Sequence, residues 1–425
     1  MPNSGSRFTM PDAFWPSYLR RHSIDRPFAT PRPFPGALVT PGQVFDVFVA
    51  AAELVRRRVP CLLRLFLGDR TMVRRLNAEQ LGTKFWEVLP RSEDASLTGY
   101  GERLEQRHGY ACFGIVLNES HSVMPEIWFR MREFLRGLYE ETGFPLGGTD
   151  VNIFAGNYCQ TPFGVHRDGQ DIFTWVVEGR KKFLLWPEES FPPSLGRGEA
   201  EGDPFDYEAH RGRATVLEGN AGDMLYWPKS YWHVAESNDD GLVTTLSIGL
   251  RHRVDPSWVK DALASMAGAA DSSSHHAFAT GALAKSARTL PKSLSSTLDV
   301  FGKKSTNAAL RRQIHLRWLC HLTGFGLAVP PQAERAPLSA EDRVRVEPRY
   351  PIQCVAWRRE LLCSANGYGF STADRKSIAR LVAELNSGRE LSVDELCKKF
   401  SSGLSLATIR ALLGTFAAYR ALQRV

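Results

Sequence analysis

Two residues that can bind a metal ion, with one residue between them, stand in the run TPFGVHRDGQD, residues 161–171. Side chains alternate between the two faces of a strand, so His166 and Asp168 would point the same way from one short strand. A third ligand can come from a distant strand of the same sheet, and the candidate is His233 in the run GDMLYWPKSYWHVAES. Two imidazoles and one carboxylate occupy one face of a metal ion and leave its other positions open, which is typical of non-haem Fe(II) sites. The residue types and their spacing therefore predict an iron centre built from these three side chains.

A histidine and an aspartate separated by one residue occur by chance in many chains, and for His166 alone a surface or core role would be the better interpretation. The surrounding sequence changes this balance. The pair is followed by a strand-like run, a turn at Gly179, a basic strand that ends in Trp-Pro, and later by Gly-Asp ahead of the aromatic-flanked His233. This order favours a β-rich metal site over an isolated histidine.

The elements that would position these ligands are short strands. From about residue 150, runs rich in β-branched and aromatic residues alternate with Gly, Pro, Asn and Asp, a pattern that predicts an antiparallel sandwich or barrel. Before them, residues 1–40 are rich in proline and are expected to be irregular, and residues 42–58 and 120–143 have the apolar spacing of helices. Residues 188–210 form an acidic insertion rich in proline and glycine, and a loop of that length is often functional.

The chain beyond the β-rich region has a different composition. Residues 266–298 are small and polar, as in a linker, and residues 306–326 return to a helical pattern. From residue 343, two strand-like runs precede three helices, and Ser392 followed by Glu395 has the pattern of a capping box. A short ribbon with three helices is the composition of a winged-helix module.

Length, cysteines and hydropathy place the chain in a broad class. Its 425 residues are enough for two or three domains. The seven cysteines contain no C-x-x-C pair, which indicates neither a disulfide framework nor a zinc knuckle, so free thiols in a reducing compartment are expected. The N-terminus lacks an apolar signal-peptide core, and no window approaches the ~18 consecutive apolar residues of a membrane span. These features predict a cytoplasmic protein that does not associate with a membrane.

The net charge of +7 is unevenly distributed. Residues 301–425 hold 20 Lys and Arg against 10 Asp and Glu, so they carry +10 while residues 1–300 carry −3. A basic region can bind nucleic acid or an acidic protein. An excess of this size is more typical of an ordinary soluble surface, so nucleic acid stays a possible partner that the sequence does not favour.

A resemblance to a known family joins these observations. The run TPFGVHRDGQDIFTWVVEGRKKFLLWP, followed by GDMLYWPKSYWHVAES, resembles the JmjC and cupin-like 2-oxoglutarate oxygenases, in particular their protein hydroxylases. The resemblance covers roughly residues 145–252, and a weaker similarity is found in FWPSYLRRHSIDRPF near the N-terminus. It implies a double-stranded β-helix of the jelly-roll or cupin type, an Fe(II) ion, and 2-oxoglutarate as a co-substrate that is converted to succinate while a second substrate is hydroxylated or demethylated.

The resemblance also implies roles for individual residues. His166, Asp168 and His233 match the iron-binding triad. Lys181 matches the lysine that binds the distal carboxylate of 2-oxoglutarate, and a buried carboxylate does need a cation. Its neighbour Lys182 is the second choice, because strand alternation lets only one of the two face inward.

Two further polar residues are assigned to the co-substrate. Thr161 is a hydroxyl donor to the same carboxylate, although it stands five residues before His166, whereas related enzymes often place this group three before, where the chain has Phe163. Ser247 falls where the family has a polar residue near the metal-bound end of 2-oxoglutarate. Tyr158 and Trp175 would either line the substrate pocket or pack in the core, and core packing is favoured.

The full prediction is a mainly β core with flanking helices, a helical middle segment and a C-terminal winged-helix-like α+β module. Residues 1–255 would form the oxygenase domain, residues 256–338 a linker with a helical segment that could form a homodimer, and residues 339–425 the winged-helix-like domain. This order resembles members of the family that hydroxylate ribosomal proteins, at the level of architecture only.

Three functions compete at this point. The first is an Fe(II) and 2-oxoglutarate-dependent hydroxylase of a peptide or protein side chain. The second applies the same chemistry to a small-molecule natural-product intermediate. The third is a non-catalytic barrel that senses a ligand or binds DNA as a regulator. The intact triad together with Lys181 argues against the third, since a sensor need not retain all four residues.

Overall fold

The computed structural model describes residues 8, 10–34, 36–69, 73–158, 164–192, 195, 206–236, 241–252, 260, 263, 304–334, 337–373 and 375–425. The chain divides into two compact units, one of Met1–Arg253 with Phe325–Gln332, the other of Val254–Gly324 with Ala333–Val425. The predicted linker at 266–298 lies outside the described residues. Within the described part of the chain, no helix has the length and apolar character needed to cross a membrane.

The first unit is built on two antiparallel sheets. The larger has eight strands in the order β1-β9-β6-β11-β5-β4-β2-β3; their bounds are β1 Phe28–Thr30, β2 Leu63–Gly68, β3 Val73–Leu76, β4 Cys112–Leu117, β5 Gly148–Gly156, β6 Asp171–Glu178, β9 Met224–Trp227 and β11 Val243–Arg251. The smaller has the order β10-β7-β8, with β7 Arg180–Pro187, β8 Thr215–Asn220 and β10 Tyr231–Glu236.

The two sheets face each other across an apolar cluster. Strands of both sheets contribute to it, through Ile172, Val176, Phe183, Leu185, Leu217, Leu225, Trp227 and Ala235. On β6, the alternate residues Phe173, Trp175 and Val177 belong to a different cluster, which packs against the helices. Each strand therefore has an inner face towards the other sheet and an outer face, as alternation requires. The prediction of a mainly β, cupin-like core is confirmed.

Helices cover the outer face of the larger sheet. The longer ones are α1 Phe14–Arg21, α2 Pro41–Arg56, α5 Leu97–His108 and α6 Pro125–Thr142, with the short α3 Ala78–Leu81 and α4 Phe85–Val88. Single 3-10 segments lie at Gly82–Lys84, Ser92–Asp94, Ser120–Ser122, Glu188–Ser190 and Glu208–Arg213. The indole nitrogen of Trp15 on α1 donates to the carbonyl oxygen of Phe134 on α6 at 2.9 Å. A Cβ added at Gly137 would lie 2.8 Å from that indole ring, so this glycine permits the two helices to pack closely.

Two expectations about the helices are wrong in part. Residues 1–40 were expected to be irregular, yet they contain α1 and β1. Pro16 does not prevent α1 because it lies in the first turn, where a backbone N–H has no helical partner. The helix expected over 120–143 begins only at Pro125, because a proline disfavours the helical conformation of the residue before it, and Met124 is indeed extended.

The second unit combines one long helix, two three-stranded sheets and three shorter helices. Its helices are α7 Lys304–Thr323, α8 Arg375–Leu385, α9 Val393–Phe400 and α10 Leu406–Ala418. One sheet has the order β13-β14-β15, with β13 Gln353–Trp357, β14 Glu360–Ala365 and β15 Tyr368–Thr372; the other has the order β16-β12-β17, with β12 Arg343–Val346, β16 Leu391–Ser392 and β17 Leu422–Arg424. The capping box predicted at Ser392 is confirmed, because its hydroxyl accepts from Glu395 N while the Glu395 carboxylate accepts from Ser392 N.

Candidate metal centre

The predicted ligands meet in the first unit. One ligand atom from each of His166, Asp168 and His233 lies within 4.8 Å of the others, as a shared metal ion requires. His233 lies on β10, and its Nε2 is 3.6 Å from a carboxylate oxygen of Asp168. His166 and Asp168 precede β6 and do not share a regular strand as expected: His166 forms an isolated bridge with His233, and Asp168 follows in a loop.

The hydrogen bond of His166 and the burial of His233 suit metal binding. His166 Nδ1 lies 3.0 Å from the carbonyl oxygen of Gly164. A carbonyl oxygen can only accept, so Nδ1 carries the proton and Nε2 has the lone pair that binds a metal. His233 is 4% exposed, and its burial, together with nearby His166, lowers its pKa to about 3. A neutral imidazole is the form that binds a metal ion.

Lys181 enters the same interior from β7. It is 4% exposed and has the same strand parity as Phe183 and Leu185, which belong to the apolar cluster between the sheets. Among the described residues it has no hydrogen bond or ion pair, and its ammonium lies 5.4 Å from the ring centroid of Tyr158. Burial lowers the pKa of Lys181 to about 8. A buried ammonium with only an aromatic ring beside it is a ready partner for an anionic ligand.

The neighbouring cations are engaged elsewhere. Lys182 Nζ lies 3.5 Å from the carboxylate of Glu236, and Arg180 forms an ion pair with Glu218. Lys182 and Glu236 are cross-strand partners on β7 and β10. Of the three consecutive basic residues, the structure therefore places only Lys181 in the interior between the sheets.

Ser247 lies on the inner face of β11. Its hydroxyl is 2.9 Å from that of Thr174, its cross-strand partner on β6. Thr174 is fully buried and was not singled out from the sequence, although it is the one polar side chain in the apolar stretch IFTWVV. Thr161 lies outside the described residues. Trp175 stacks on Phe34 in the outer cluster, which agrees with the favoured interpretation as a core residue.

An acidic residue near the triad was also missed. Asp150 on β5 is buried and accepts hydrogen bonds from Gln170, at 2.7 Å, and from Arg251. Burial raises the pKa of Asp150 despite the arginine, and the charge of Asp168 raises it further. Asp150, Gln170 and Arg251 come from separate parts of the sequence, so no local motif indicates that they meet.

The donor set fits a ferrous ion. Two neutral imidazoles and one carboxylate are the facial ligand set of non-haem Fe(II) centres, and they leave positions for other ligands. The single carboxylate leaves the ion with net positive charge, which favours a chelating anion. Lys181 supplies a second cation in the same interior, so a dicarboxylate suits the site.

Comparison with known proteins identifies the domain that carries this site. Residues 142–255 match the sequence family described as the JmjC domain. The bifunctional lysine-specific demethylase and histidyl-hydroxylase NO66 of Caenorhabditis elegans is 29% identical over 161 residues, which are 36% of this chain and 20% of that protein. The NO66 protein of Caenorhabditis briggsae has the same identity and coverage. The matched region thus spans about a fifth of the length of these relatives.

Solved structures of one protein align with most of this chain at low sequence identity. An X-ray structure of YcfD from Escherichia coli covers 97% of this chain and 98% of its own, with a TM-score of 0.49 and 14% identity. A structure of the same protein, described as a ribosomal oxygenase in complex with cobalt and 2-oxoglutarate, covers 96% of this chain and 98% of its own, with a TM-score of 0.47 and 14% identity. The family match itself rests on residues 142–255, and this chain therefore carries a JmjC domain that contains all three candidate metal ligands.

Proposed function

We propose that this chain is an Fe(II) and 2-oxoglutarate-dependent dioxygenase that hydroxylates a side chain of a peptide or protein. The proposal is supported by the presence of a metal-binding triad and a buried lysine in the same interior. His166, Asp168 and His233 converge within 4.8 Å, and Lys181 is buried in the same interior with no anionic partner among the described residues. A JmjC domain with these residues has the groups needed for both the metal ion and the co-substrate.

In this proposal each side chain has a defined task. His166, Asp168 and His233 would hold Fe(II) on one face. Lys181 would bind the distal carboxylate of 2-oxoglutarate, and the hydroxyls of Ser247 and Thr174 would contribute hydrogen bonds from the inner face of the opposite sheet. The metal ion and 2-oxoglutarate, when bound, supply the oxidising chemistry. The reaction balances when 2-oxoglutarate, O2 and a C–H bond of the substrate give succinate, CO2 and a C–OH group.

The apolar cluster between the sheets would protect this chemistry. Phe183 and Trp227 lie beside His233, with ring centroids 6.4 and 5.1 Å from its imidazole. Such walls exclude water and strengthen the interaction between Lys181 and a carboxylate. The aromatic residues near His233 would therefore pack around the site and exclude water from it.

A protein substrate is proposed from the relatives. The NO66 proteins are described as lysine-specific demethylases and histidyl-hydroxylases, and both activities act on protein side chains. The proposal for this chain is hydroxylation. It does not extend to a particular residue type, because the matched region is only part of those relatives.

The C-terminal region is proposed to be a winged-helix-like module at residues 339–425, after a helical segment at 256–338 that would form a homodimer in the cytoplasm. In support, α9 and α10 are followed by β17, which pairs with β12. The exposed face of α10 carries Leu406, which is 51% exposed, together with Ala407, Ala411 and one cation, Arg410. A nucleic-acid-binding helix would carry a basic stripe, so this face favours a role in protein contacts.

This function is tested by comparing peptides with small molecules as candidate substrates. The full-length chain is incubated with Fe(II), ascorbate and 2-oxoglutarate, and either a peptide library or a low-molecular-weight extract is added. The proposal predicts that peptides stimulate succinate formation and that a peptide gains the mass of one oxygen atom, neither of which occurs with Asp168→Ala. Stimulation by the low-molecular-weight extract alone would replace the protein substrate with a small molecule, and an absence of succinate and of 2-oxoglutarate binding would contradict the proposal.

A further inference from the structure

The aromatic ring of Tyr158 lies beside the Lys181 ammonium. Tyr158 follows the end of β5, is 6% exposed, and presents its ring to the Lys181 ammonium, 5.4 Å from the ring centroid. Among the described residues the Tyr158 hydroxyl has no hydrogen bond, so the contact of Tyr158 with Lys181 is its one polar interaction there. The face of an aromatic ring is negative and attracts a cation, most strongly where water is excluded.

Two glycines make room for this ring. Gly114 on β4 and Gly156 on β5 are cross-strand partners. A Cβ added at Gly114 would lie 2.8 Å from Tyr158 Cε1, and one added at Gly156 would also clash with the ring. Neither glycine has a positive φ, so the backbone conformation does not require glycine at either position. The space that they leave is filled by the Tyr158 ring, which fixes the ring between the sheet and Lys181.

We propose that Tyr158 is a positioning residue, whose ring face holds the Lys181 ammonium in the orientation that binds the distal carboxylate of 2-oxoglutarate. This inference rests on the proposed function for its ligand. It assigns to Tyr158 a role through its ring face, and Phe at this position would retain that role. Gly114 and Gly156 take part indirectly, because any larger side chain there displaces the ring.

The first test measures binding of 2-oxoglutarate to the full-length chain without O2, with Mn(II) in place of Fe(II). Tyr158→Phe should bind within about twofold of wild type, and Tyr158→Leu should bind about tenfold more weakly, since a desolvated cation–π contact has that strength. Equal binding by a folded Tyr158→Leu variant would overturn the inference. Loss of binding in Tyr158→Phe as large as in Tyr158→Leu would assign the role to the hydroxyl and would also overturn it.

The second test does not depend on 2-oxoglutarate. The rate at which an amine-reactive acylating reagent modifies Lys181 is measured by mass spectrometry across pH. Losing the ring face should shift the midpoint of this reactivity to lower pH in Tyr158→Leu and leave it unchanged in Tyr158→Phe. If wild type binds no 2-oxoglutarate but the midpoint shifts, the proposed function fails while the role of Tyr158 in holding Lys181 stands; an unmoved midpoint contradicts that role. Should Tyr158→Leu fail to fold, Gly114→Ala displaces the ring with a smaller change and should produce the same shift.

Two cysteines of the second unit lie opposite each other on neighbouring strands. Cys354 on β13 and Cys363 on β14 are direct cross-strand partners, and their sulfur atoms are 2.7 Å apart. Opposed residues of an antiparallel pair have Cα atoms about 4.5–5.5 Å apart, which lies within the range of about 4.4–6.8 Å that a disulfide spans. Both are free thiols in this structure. The backbone therefore already has the separation that a bond between them requires.

We also propose that Cys354 and Cys363 are a thiol pair that forms a reversible disulfide with a low-molecular-weight disulfide as the oxidant. Cys363 is fully buried and Cys354 is half-buried, so Cys354 attacks first and forms a mixed disulfide, releasing one small thiol. Cys363 then attacks Cys354 Sγ and displaces the second small thiol. Two protein thiols are oxidised, the small disulfide is reduced to two thiols, and those thiols take up the two protons.

Trypsin provides a direct test, because Arg358 and Arg359 lie between the two cysteines. The full-length chain is equilibrated in oxidised and reduced glutathione mixtures, alkylated and digested. The proposal predicts that the two flanking peptides stay linked in oxidising mixtures and separate after reduction. It also predicts that Cys363→Ser accumulates a glutathione adduct at Cys354, whereas Cys397→Ser behaves like wild type. Unlinked, fully alkylated peptides in every mixture, or links to other cysteines instead, would overturn the proposal.

Discussion

His166 and His233 exchange two backbone hydrogen bonds, from His166 N to His233 O at 3.1 Å and from His233 N to His166 O at 2.8 Å. This bridge aligns two residues that are far apart in sequence and brings their ring centroids to 4.3 Å. The position of the third ligand therefore follows from strand pairing. The candidate centre depends on β10, which also pairs with β7, the strand that carries Lys181.

Replacing His166 should remove the metal site. We expect His166→Ala to weaken Fe(II) or Mn(II) binding by at least about 100-fold, because even outer-shell partners of a metal ligand contribute 10–100-fold. Equilibrium dialysis of the purified chain with Mn(II) measures this. The matched control is His315→Ala, which removes an exposed histidine on α7 and should bind the metal ion as wild type does. Unchanged affinity in His166→Ala would exclude this residue as a ligand.

Lys181 and Lys182 should differ in their effect on 2-oxoglutarate. Removing one partner of a buried ion pair costs about 3–5 kcal/mol, so Lys181→Ala should lower the affinity for 2-oxoglutarate by about 100-fold or more. Lys182→Ala should remain within about twofold of wild type, since its ion pair with Glu236 is partly solvated. Calorimetry without O2 compares the two variants. The reverse order would transfer the carboxylate-binding role to Lys182.

Binding of 2-oxoglutarate should weaken in alkaline solution. The pKa of Lys181 is lowered to about 8 by burial, so the ammonium is present below this pH and is lost as the pH rises above it. We expect the affinity to be nearly constant below about pH 8 and then to fall by up to about tenfold per pH unit, as for a single titrating group. Lys181→Met, which has no titrating group, should bind weakly at every pH. A wild-type affinity that stays constant up to pH 10 would contradict a role for the Lys181 ammonium.

Ser247 should contribute less than Lys181 to the affinity for 2-oxoglutarate. Its hydroxyl also contacts Thr174, and one hydrogen bond contributes about 1 kcal/mol, so Ser247→Ala should weaken 2-oxoglutarate binding by about five- to tenfold. The binding assay used for Lys181 measures the change. An unchanged affinity would mean that the Ser247 hydroxyl serves only the contact with Thr174.

Much of the inner surface was predictable because strand alternation is a local rule. It allows only one of Lys181 and Lys182 to face inward, while the choice of Lys181 came from the family resemblance, and the barrel pattern brings His233 to the His166 pair. The regular strand expected for His166 and Asp168 is absent, because His166 N pairs with a strand distant in sequence and the chain then bends towards β6.

Other features depend on contacts that no local pattern encodes. Asp150 meets Gln170 and Arg251 only after β5 and β11 have paired. Tyr158 gains its place beside Lys181 because Gly114 and Gly156 are opposed on neighbouring strands. In each case the residue types alone do not indicate a contact, and the register of the sheet determines which residues meet.

We infer that the three convergent side chains and 2-oxoglutarate act together as an oxidising centre. The most direct measurement is succinate formation from 2-oxoglutarate with Fe(II) and ascorbate, in the presence of a stimulating peptide, for wild type, Asp168→Ala and the exposed control Asp46→Ala on α2. We predict succinate from wild type and Asp46→Ala and none above background from Asp168→Ala. Succinate formation by Asp168→Ala at the wild-type rate would show that Asp168 is not part of an oxidising centre.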